Sequence, residues 1–198
     1  MSVPPAGQGI LVVVTGPSGV GKGTLIRAVR KRVPHFAYSV SATTRPKRNG
    51  ERDGVDYYFL SPAEFDRRIA AGEFVEHARY ADYQYGTLRS EVERHLRHGD
   101  SVALELEVQG ARQVRRAIPE AALIFIAPPS EAALADRLRG RGTDSAEQVT
   151  KRLATAKIEL AARHEFDVEI VNDDLDEAID ELTGIVEAAI AAGGHARG

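Results

Sequence analysis

One stretch narrows the possible folds more than any other. The apolar run Ile10-Leu11-Val12-Val13-Val14 leads into Gly16-Pro17-Ser18-Gly19-Val20-Gly21-Lys22-Gly23-Thr24, and a helix-forming segment from Leu25 to Arg32 follows. Strand, glycine-rich loop and helix in that order make a phosphate loop. Glycines let the backbone turn its N–H groups inward around a phosphate, and the helix start adds the positive end of its dipole. Lys22 is placed to reach the outer phosphates of a nucleotide. The usual pattern has Ser or Thr directly after the lysine; here Gly23 follows and the hydroxyl appears at Thr24, which becomes the candidate magnesium contact.

The rest of the chain alternates strand-like and helix-like segments, which argues for a parallel α/β sheet with ligands beyond the carboxyl ends of its strands. After residues 1–8, read as a flexible tail, and the first helix, ended by Pro34, the texture changes. Residues 37–59 are rich in hydroxyls, arginines and turn formers and suggest small antiparallel strands rather than a sheet core. Ser61-Pro62-Ala63-Glu64 is a helix start with cap, proline and acidic third position. Glu73 to Tyr80 and Tyr83 to Thr87 read as a strand pair turning at Ala81-Asp82. Residues 36–87 are therefore expected to form a small insertion of their own.

A helix from Leu88 to Arg97 then returns to the main body. Strands follow over Asp100–Glu107 and Ala121–Ala127, with a helix between them from Gln109 to Ala117. The arginine-dense segment Arg137 to Ser145 reads as a mobile lid before helical spacing resumes at Ala146. A short strand over Asp167–Val171, a cap at Asn172-Asp173-Asp174 and an amphipathic helix from Leu175 close the chain, leaving Gly193 to Gly198 loose. The expected architecture is one domain of P-loop NTPase type, a parallel sheet flanked by helices. Its core spans about 9–35, 88–136 and 167–193, with a mixed α/β insertion for a nucleoside monophosphate at 36–87 and a short helical lid at 137–152.

Composition sets the outer limits. At 198 residues the chain can bury one substantial core, and a net charge of −3 offers no general attraction to nucleic acid or an anionic membrane. The absence of cysteine excludes disulfides, thiolate metal sites and thiol catalysis. No signal-like start or membrane-length apolar run is present, so a cytoplasmic location is expected. The six histidines are scattered and none is assigned to metal or catalysis.

A second constellation lies in the insertion: Ser41, Arg45, Arg48, Tyr57, Glu76, Tyr85 and Thr87. Two guanidiniums and two phenols suit a phosphate monoester, and a carboxylate with hydroxyls suits a base edge. Guanine fits best. Its N1–H and 2-amino group are adjacent donors for the two oxygens of Glu76, and its O6 needs a donor that Ser41 or Thr87 can be. Adenine presents the opposite pattern and would leave a carboxylate unpaired, at a cost of roughly several kcal/mol.

Ser39-Val40-Ser41-Ala42-Thr43-Thr44-Arg45-Pro46-Lys47-Arg48, Gly50-Glu51, Gly54 to Phe59, Gly72 to Glu76 and Tyr85-Gly86-Thr87 resemble the acceptor segment of guanylate kinases. The resemblance continues through Glu105 to Ala111, Gly140 to Thr143, Lys151-Arg152-Leu153 and Ile170 to Asp174, covering about residues 10–185. It implies that Ser41, Glu76 and Thr87 hold guanine with help from Glu105 or Glu107, only one of which is expected to face the site fully. It implies that Arg45, Arg48, Tyr57 and Tyr85 hold the GMP phosphate. It implies that Arg137, Arg141 and Arg152 close over the transferring phosphoryl group, and that Asn172 stands near the adenine, a helix cap being the other reading.

The chain departs from the family's usual residues at Glu107, where Asp is common, and at Thr87, where Ser is frequent; both keep the functional group. The implied activity is transfer of the γ-phosphoryl group of MgATP to GMP, with dGMP as a further acceptor, in purine nucleotide metabolism. Lys22, Arg45, Arg137, Arg141 and Arg152 would be the catalytic groups, and no partner beyond the two nucleotides is called for. Two alternatives are a monophosphate kinase of other base specificity and a non-catalytic interaction module of the same fold. Such modules typically lose the phosphate loop, and this chain keeps Lys22.

Overall fold

The computed structural model describes residues 9–140 and 145–195. The expected tail at 1–8 lies outside the described residues, as do Arg141, Gly142 and Thr143 of the expected lid. Nine strands are β1 (Leu11–Thr15), β2 (Phe36–Tyr38), β3 (Ala42–Thr43), β4 (Tyr58–Phe59), β5 (Phe74–Tyr80), β6 (Tyr83–Leu88), β7 (Ser101–Glu105), β8 (Ala122–Ala127) and β9 (Val168–Val171) among the described residues. Seven α-helices join them there: α1 (Lys22–Arg32), α2 (Pro62–Ala70), α3 (Arg89–Arg97), α4 (Val108–Ala117), α5 (Glu131–Gly140), α6 (Ala146–Ala161) and α7 (Leu175–His195).

The main sheet is parallel with order β2-β7-β1-β8-β9, so the phosphate-loop strand sits at its centre. Every residue of β1 is buried, as a strand covered on both faces requires. The period of two then assigns the faces. Val12 and Val14 meet Leu25, Ile26 and Val29 of α1 together with Ile179, Leu182 and Val186 of α7. Leu11 and Val13 meet Val92 of α3 and Ala111 and Val114 of α4 on the other side. The carboxyl end of β1, where the chain turns into the loop, therefore lies in the middle of the sheet's upper edge.

Three expectations need correcting. Phe36–Tyr38 belongs to the main sheet, pairing with Ser101–Ala103, so the insertion starts after it. Phe36 is buried in the same cluster as α1, and that packing outweighs the polar texture of the residues that follow. Within the insertion the sheet order is β4-β3-β6-β5, and β3 runs parallel to β4, not antiparallel. The 14-residue excursion from Thr44 to Tyr57 is long enough to bring the chain back in the same direction, which a hairpin turn cannot do. At the other end of the chain, α7 continues to His195, past the point where a loose tail was expected.

Elsewhere local chemistry matches the elements. The Ser61 side chain accepts from Glu64 N–H at the start of α2, and Asp174 caps α7 by accepting from the Asp176 and Glu177 N–H groups. Gln113 and Tyr58 tie the insertion to the core, and a small apolar core holds the insertion together internally. Gln113 on α4 donates to His77 O at 2.9 Å and accepts from His77 N–H at 3.1 Å, mimicking a strand partner for β5. Tyr58 donates to the buried Glu91 of α3 at 2.9 Å. Phe65 stacks on Phe74 with ring centroids 4.4 Å apart, in a small core with Ala42 and Leu88. No described helix is long and apolar enough to cross a membrane.

Phe65 is fully buried in a core too small to repack around its loss. Phe65→Ala should cost about 3–5 kcal/mol in denaturant unfolding. A loss under about 1 kcal/mol would show that this aromatic pair does not organise the insertion.

Candidate functional site

The phosphate loop is shaped by positive φ at Gly16, Gly19 and Gly21. At Gly16 a β-carbon would sit 2.2 Å from Ile126 O, so the loop leaves β1 hard against β8. Gly21, at φ 102°, is the N-cap of α1, and its carbonyl accepts from the Thr24 and Leu25 N–H groups. Lys22 Nζ donates to Gly16 O at 2.6 Å and Pro17 O at 3.2 Å, folded over the loop's own carbonyls. Thr24 is exposed in the first turn of α1, with its Oγ1 accepting from Arg27 at 3.2 Å. The departure at Gly23 has a spatial reason: a β-carbon there would lie 3.0 Å from Glu105 Oε2 and 3.3 Å from Arg27 Nη1.

Part of the second constellation lies across the insertion's sheet. Glu76 on β5 is in register with Thr87 on β6, and Gly86 is in register with Ala42 on β3. Continuing that register by one residue sets Ser41 opposite Thr87, so Ser41, Thr87 and Glu76 form a row across three neighbouring strands. Thr87 Oγ1 donates to Glu76 Oε1 at 2.7 Å. This changes one expectation, because Thr87's single hydroxyl proton is already committed and only Ser41 is left to donate to a base carbonyl. Glu76 is 5% exposed, and its burial raises its pKa above the usual carboxylate range, against the hydrogen bonds from Thr87. Room for it comes from Gly110, where a β-carbon would stand 3.1 Å from Glu76 Oε2.

Arg45 is only 8% exposed and is gripped by a residue to which the sequence reading gave no role. Glu51 accepts from Arg45 Nη2 at 2.6 Å and Nη1 at 3.1 Å, and from Arg48 N–H at 2.7 Å. The Arg45 hydrogen bond is the main reason the Glu51 carboxyl sits below its usual range. The guanidinium also lies 5.3 Å from the Tyr57 ring centre, and Tyr57 meets Tyr85 edge-on at 6.2 Å. Arg45, Tyr57 and Tyr85 are thus brought together, with Arg48 exposed beside them.

The two strand-end carboxylates separate because β7 stops at Glu105 and Glu107 becomes the N-cap residue of α4. In an unbroken strand two residues apart they would have shared a face. Glu105 turns to Gly23 and to Tyr38; the Tyr38 hydroxyl, desolvated beside that carboxylate, is pushed up to about 12 even though the residue is 38% exposed. Glu107 faces a buried carboxyl missed by the sequence reading, Glu159 of α6. Glu159 is 8% exposed, and burial raises it to about 7, with Lys22 pulling it down and Glu107 pushing it further up. Its signal was a Glu following the apolar stripe Val149, Leu153 and Ala156, seven residues from Arg152 and so on the same side of the helix.

Two of the expected lid arginines are described. Arg137, at the end of α5, donates to Asn172 O at 2.8 Å. Arg152 is half-buried on α6, and Arg141 lies outside the described residues. Asn172 is not the cap of α7, a role taken by Asp174. Its Nδ2 donates to Val20 O of the phosphate loop at 2.7 Å.

A central phosphate loop on a parallel sheet, beside a small second sheet that carries a buried carboxylate and a nearby buried arginine, defines a P-loop NTPase-type protein. The family model described as Guanylate kinase matches residues 8–189. A guanylate kinase of Thermosynechococcus vestitus is 55% identical over 90% of this chain and 92% of its own length. One of Rubrobacter xylanophilus is 53% identical over 94% and 97%. The crystal structure of guanylate kinase from Anaplasma phagocytophilum has a TM-score of 0.70 at 33% identity, covering 92% of this chain and 87% of that one. The chain belongs to the guanylate kinase family.

Glu159 carries a pH signature. Its folded-state value of about 7 lies above the ordinary 4.5, so the native state holds this proton more tightly than the unfolded chain. The associated stability is complete below about pH 4.5 and is lost as pH rises through about 7. Glu159→Gln should flatten this part of the profile, shrinking the fall in unfolding free energy between acidic and alkaline buffer. An unaltered slope in urea titrations would rule the assignment out.

Proposed function

We propose that this protein transfers the γ-phosphoryl group of ATP, bound with magnesium, to GMP, giving ADP and GDP. The row of Ser41, Thr87 and Glu76 carries the choice of GMP. Glu76 and Thr87 offer acceptors to the N1–H and 2-amino group of guanine, and Ser41 donates to O6. Arg45, Arg48, Tyr57 and Tyr85 hold the acceptor phosphate. The insertion, about residues 39–87 once the first strand of that region is given to the core, is the acceptor unit. Residues 137–152 are the lid.

A GMP phosphate oxygen is already an anionic nucleophile, so no side-chain base is required. Catalysis is then alignment and charge neutralisation. The loop N–H groups and Lys22 hold the donor phosphates, Lys22 exchanging the Gly16 and Pro17 carbonyls for phosphate oxygens. Arg137 likewise leaves the Asn172 carbonyl as the lid closes, and Arg141 and Arg152 join it. Closure excludes water, which would otherwise compete as acceptor.

The donor set near the loop suits magnesium: the exposed Thr24 hydroxyl and the Glu105 carboxylate are hard oxygen ligands. Among the described residues no group of three or more His, Cys, Asp or Glu is placed to hold a metal. That suits an ion completed by substrate phosphates and water. Bound there, magnesium neutralises charge on the β- and γ-phosphates.

The test is a coupled assay of ADP release across GMP, AMP, CMP, UMP and dTMP. Only GMP should support substantial turnover, and equal or better use of another acceptor defeats the reading. Lys22→Ala should lose at least about 100-fold in kcat with its thermal melt retained, since it removes transition-state charge stabilisation. An active Lys22→Ala protein would show the loop to be misassigned.

Glu76 must be ionised to accept both guanine donors. Because burial raises its pKa, the KM for GMP should climb on acidification at a pH above the ordinary carboxylate range. Glu76→Gln should have a KM raised at least about tenfold and lack this climb, retaining only the titration of the substrate's own phosphate. Matching profiles in the two proteins would remove Glu76 from the base site.

A further inference from the structure

Val20 is fully buried at the inner turn of the phosphate loop, and its carbonyl needs a donor from the protein. The donor is Asn172 Nδ2 at 2.7 Å, from 152 residues further along the chain. The amide packs so tightly that a β-carbon on Gly21 would sit 2.7 Å from that nitrogen. Asn172 is itself immobilised. Its N–H donates to Ala127 O at 2.8 Å, extending the β8–β9 ladder, its carbonyl receives Arg137, and the residue is 5% exposed.

A trans peptide unit points its C=O and N–H in opposite directions. The Val20 carbonyl and the Gly21 N–H belong to one such unit. Holding the carbonyl towards Asn172 therefore aims the Gly21 N–H away from it, across the loop. No acceptor among the described residues meets that N–H.

We propose that Asn172 is a positioning residue of the donor site, whose side-chain amide clamps the phosphate loop at Val20 and so aims the Gly21 N–H at the bound phosphates. This rests on the kinase reading above and deepens it. The clamp acts through the triphosphate and is indifferent to the base. It also joins the loop to the root of the lid, since the residue that fixes Val20 holds Arg137 through its own carbonyl.

The experiment compares the wild-type chain with Asn172→Ala and with Asn172→Asp, which keeps the shape but turns an acceptor towards Val20 O. Amide hydrogen exchange of residues 16–24 is measured without nucleotide. The KM for ATP, the inhibition constant of inorganic tripolyphosphate and the KM for GMP are measured in turnover, with thermal melts alongside. Exchange across the loop should quicken at least about tenfold in both variants, since an orphaned buried acceptor loosens its peptide unit. Binding of ATP and of tripolyphosphate should weaken by a common factor of about ten, more in Asn172→Asp, while the KM for GMP stays within about twofold.

A loss confined to ATP would make Asn172 a base contact and overturn the clamp, as would unchanged loop exchange in either folded variant. The exchange arm needs no substrate. If the wild-type chain failed to phosphorylate GMP, the kinase reading would fall while the clamp was still decided.

Discussion

A loop that turns its N–H groups towards an anion must find other partners for its carbonyls, and much of this molecule follows from that requirement. The Gly16 and Pro17 carbonyls take Lys22 Nζ, the Val20 carbonyl takes Asn172, and the Gly21 carbonyl takes the first N–H groups of α1. Each donor has a structural precondition. Lys22 must stand at the helix start, α1 must be packed on Val12 and Val14, and Asn172 must be delivered by β9 from the far end of the chain. The parallel sheet does this delivery. Placing β1 at the centre puts β7 with Glu105 on one side and β8, then β9, on the other, so the loop is reached from both directions.

Local signals carried most of the fold, and long-range geometry accounts for where they stopped. The buried run of β1, the cap at Ser61 and the turn at Ala81 are written in neighbouring residues, and the chain follows them. The parallel pairing of Ala42 with Tyr58 is not, because strand direction was set by the length of the excursion between them. Phe36–Tyr38 looked like part of a polar segment and became an edge of the main sheet through burial of one phenylalanine. Among the site residues, those with distinctive chemistry were legible: the loop, the Ser41, Thr87 and Glu76 row, and Arg45. Glu51 and Glu159 were not, since an acid in a turn and an acid in a helix ordinarily face water. Asn172 was legible as important, but its hydrogen bond to Val20 O was not, because that partner lies 152 residues away.

Three cations of the site share a property. In this conformation Arg45 is bonded to Glu51, Lys22 to two loop carbonyls and Arg137 to the Asn172 carbonyl. Under the proposed function, phosphate oxygens exchange with these internal acceptors, and no bare charge has to wait in a low-dielectric cleft. Such exchange is cheap at the Gly16 and Pro17 oxygens that Lys22 would leave, because these are neutral carbonyls. It is different for Arg45, because Glu51 is a carboxylate and grips both terminal nitrogens. Arg45 is therefore suited to keep Glu51 and offer its remaining donor capacity to the acceptor phosphate. Glu51 fixes the direction of the guanidinium, and at 8% exposure little room remains for any other rotamer.

Under the proposed function, the same logic sharpens base selection. A threonine hydroxyl beside a carboxylate can rotate, and a free rotor would let the pocket adapt to either purine. Here the proton is fixed on Glu76 at 2.7 Å in a buried pair, so the row presents Thr87 lone pairs and a carboxylate as acceptors in advance of any ligand. Guanine brings two adjacent donors to that face. Adenine brings an unprotonated N1 with no neighbouring amino group at position 2, which sets acceptor against acceptor and leaves a buried carboxylate unpaired. Burial raises the pKa of Glu76. The ionised form is costly in the empty pocket and is rewarded only by a ligand able to donate to both of its oxygens.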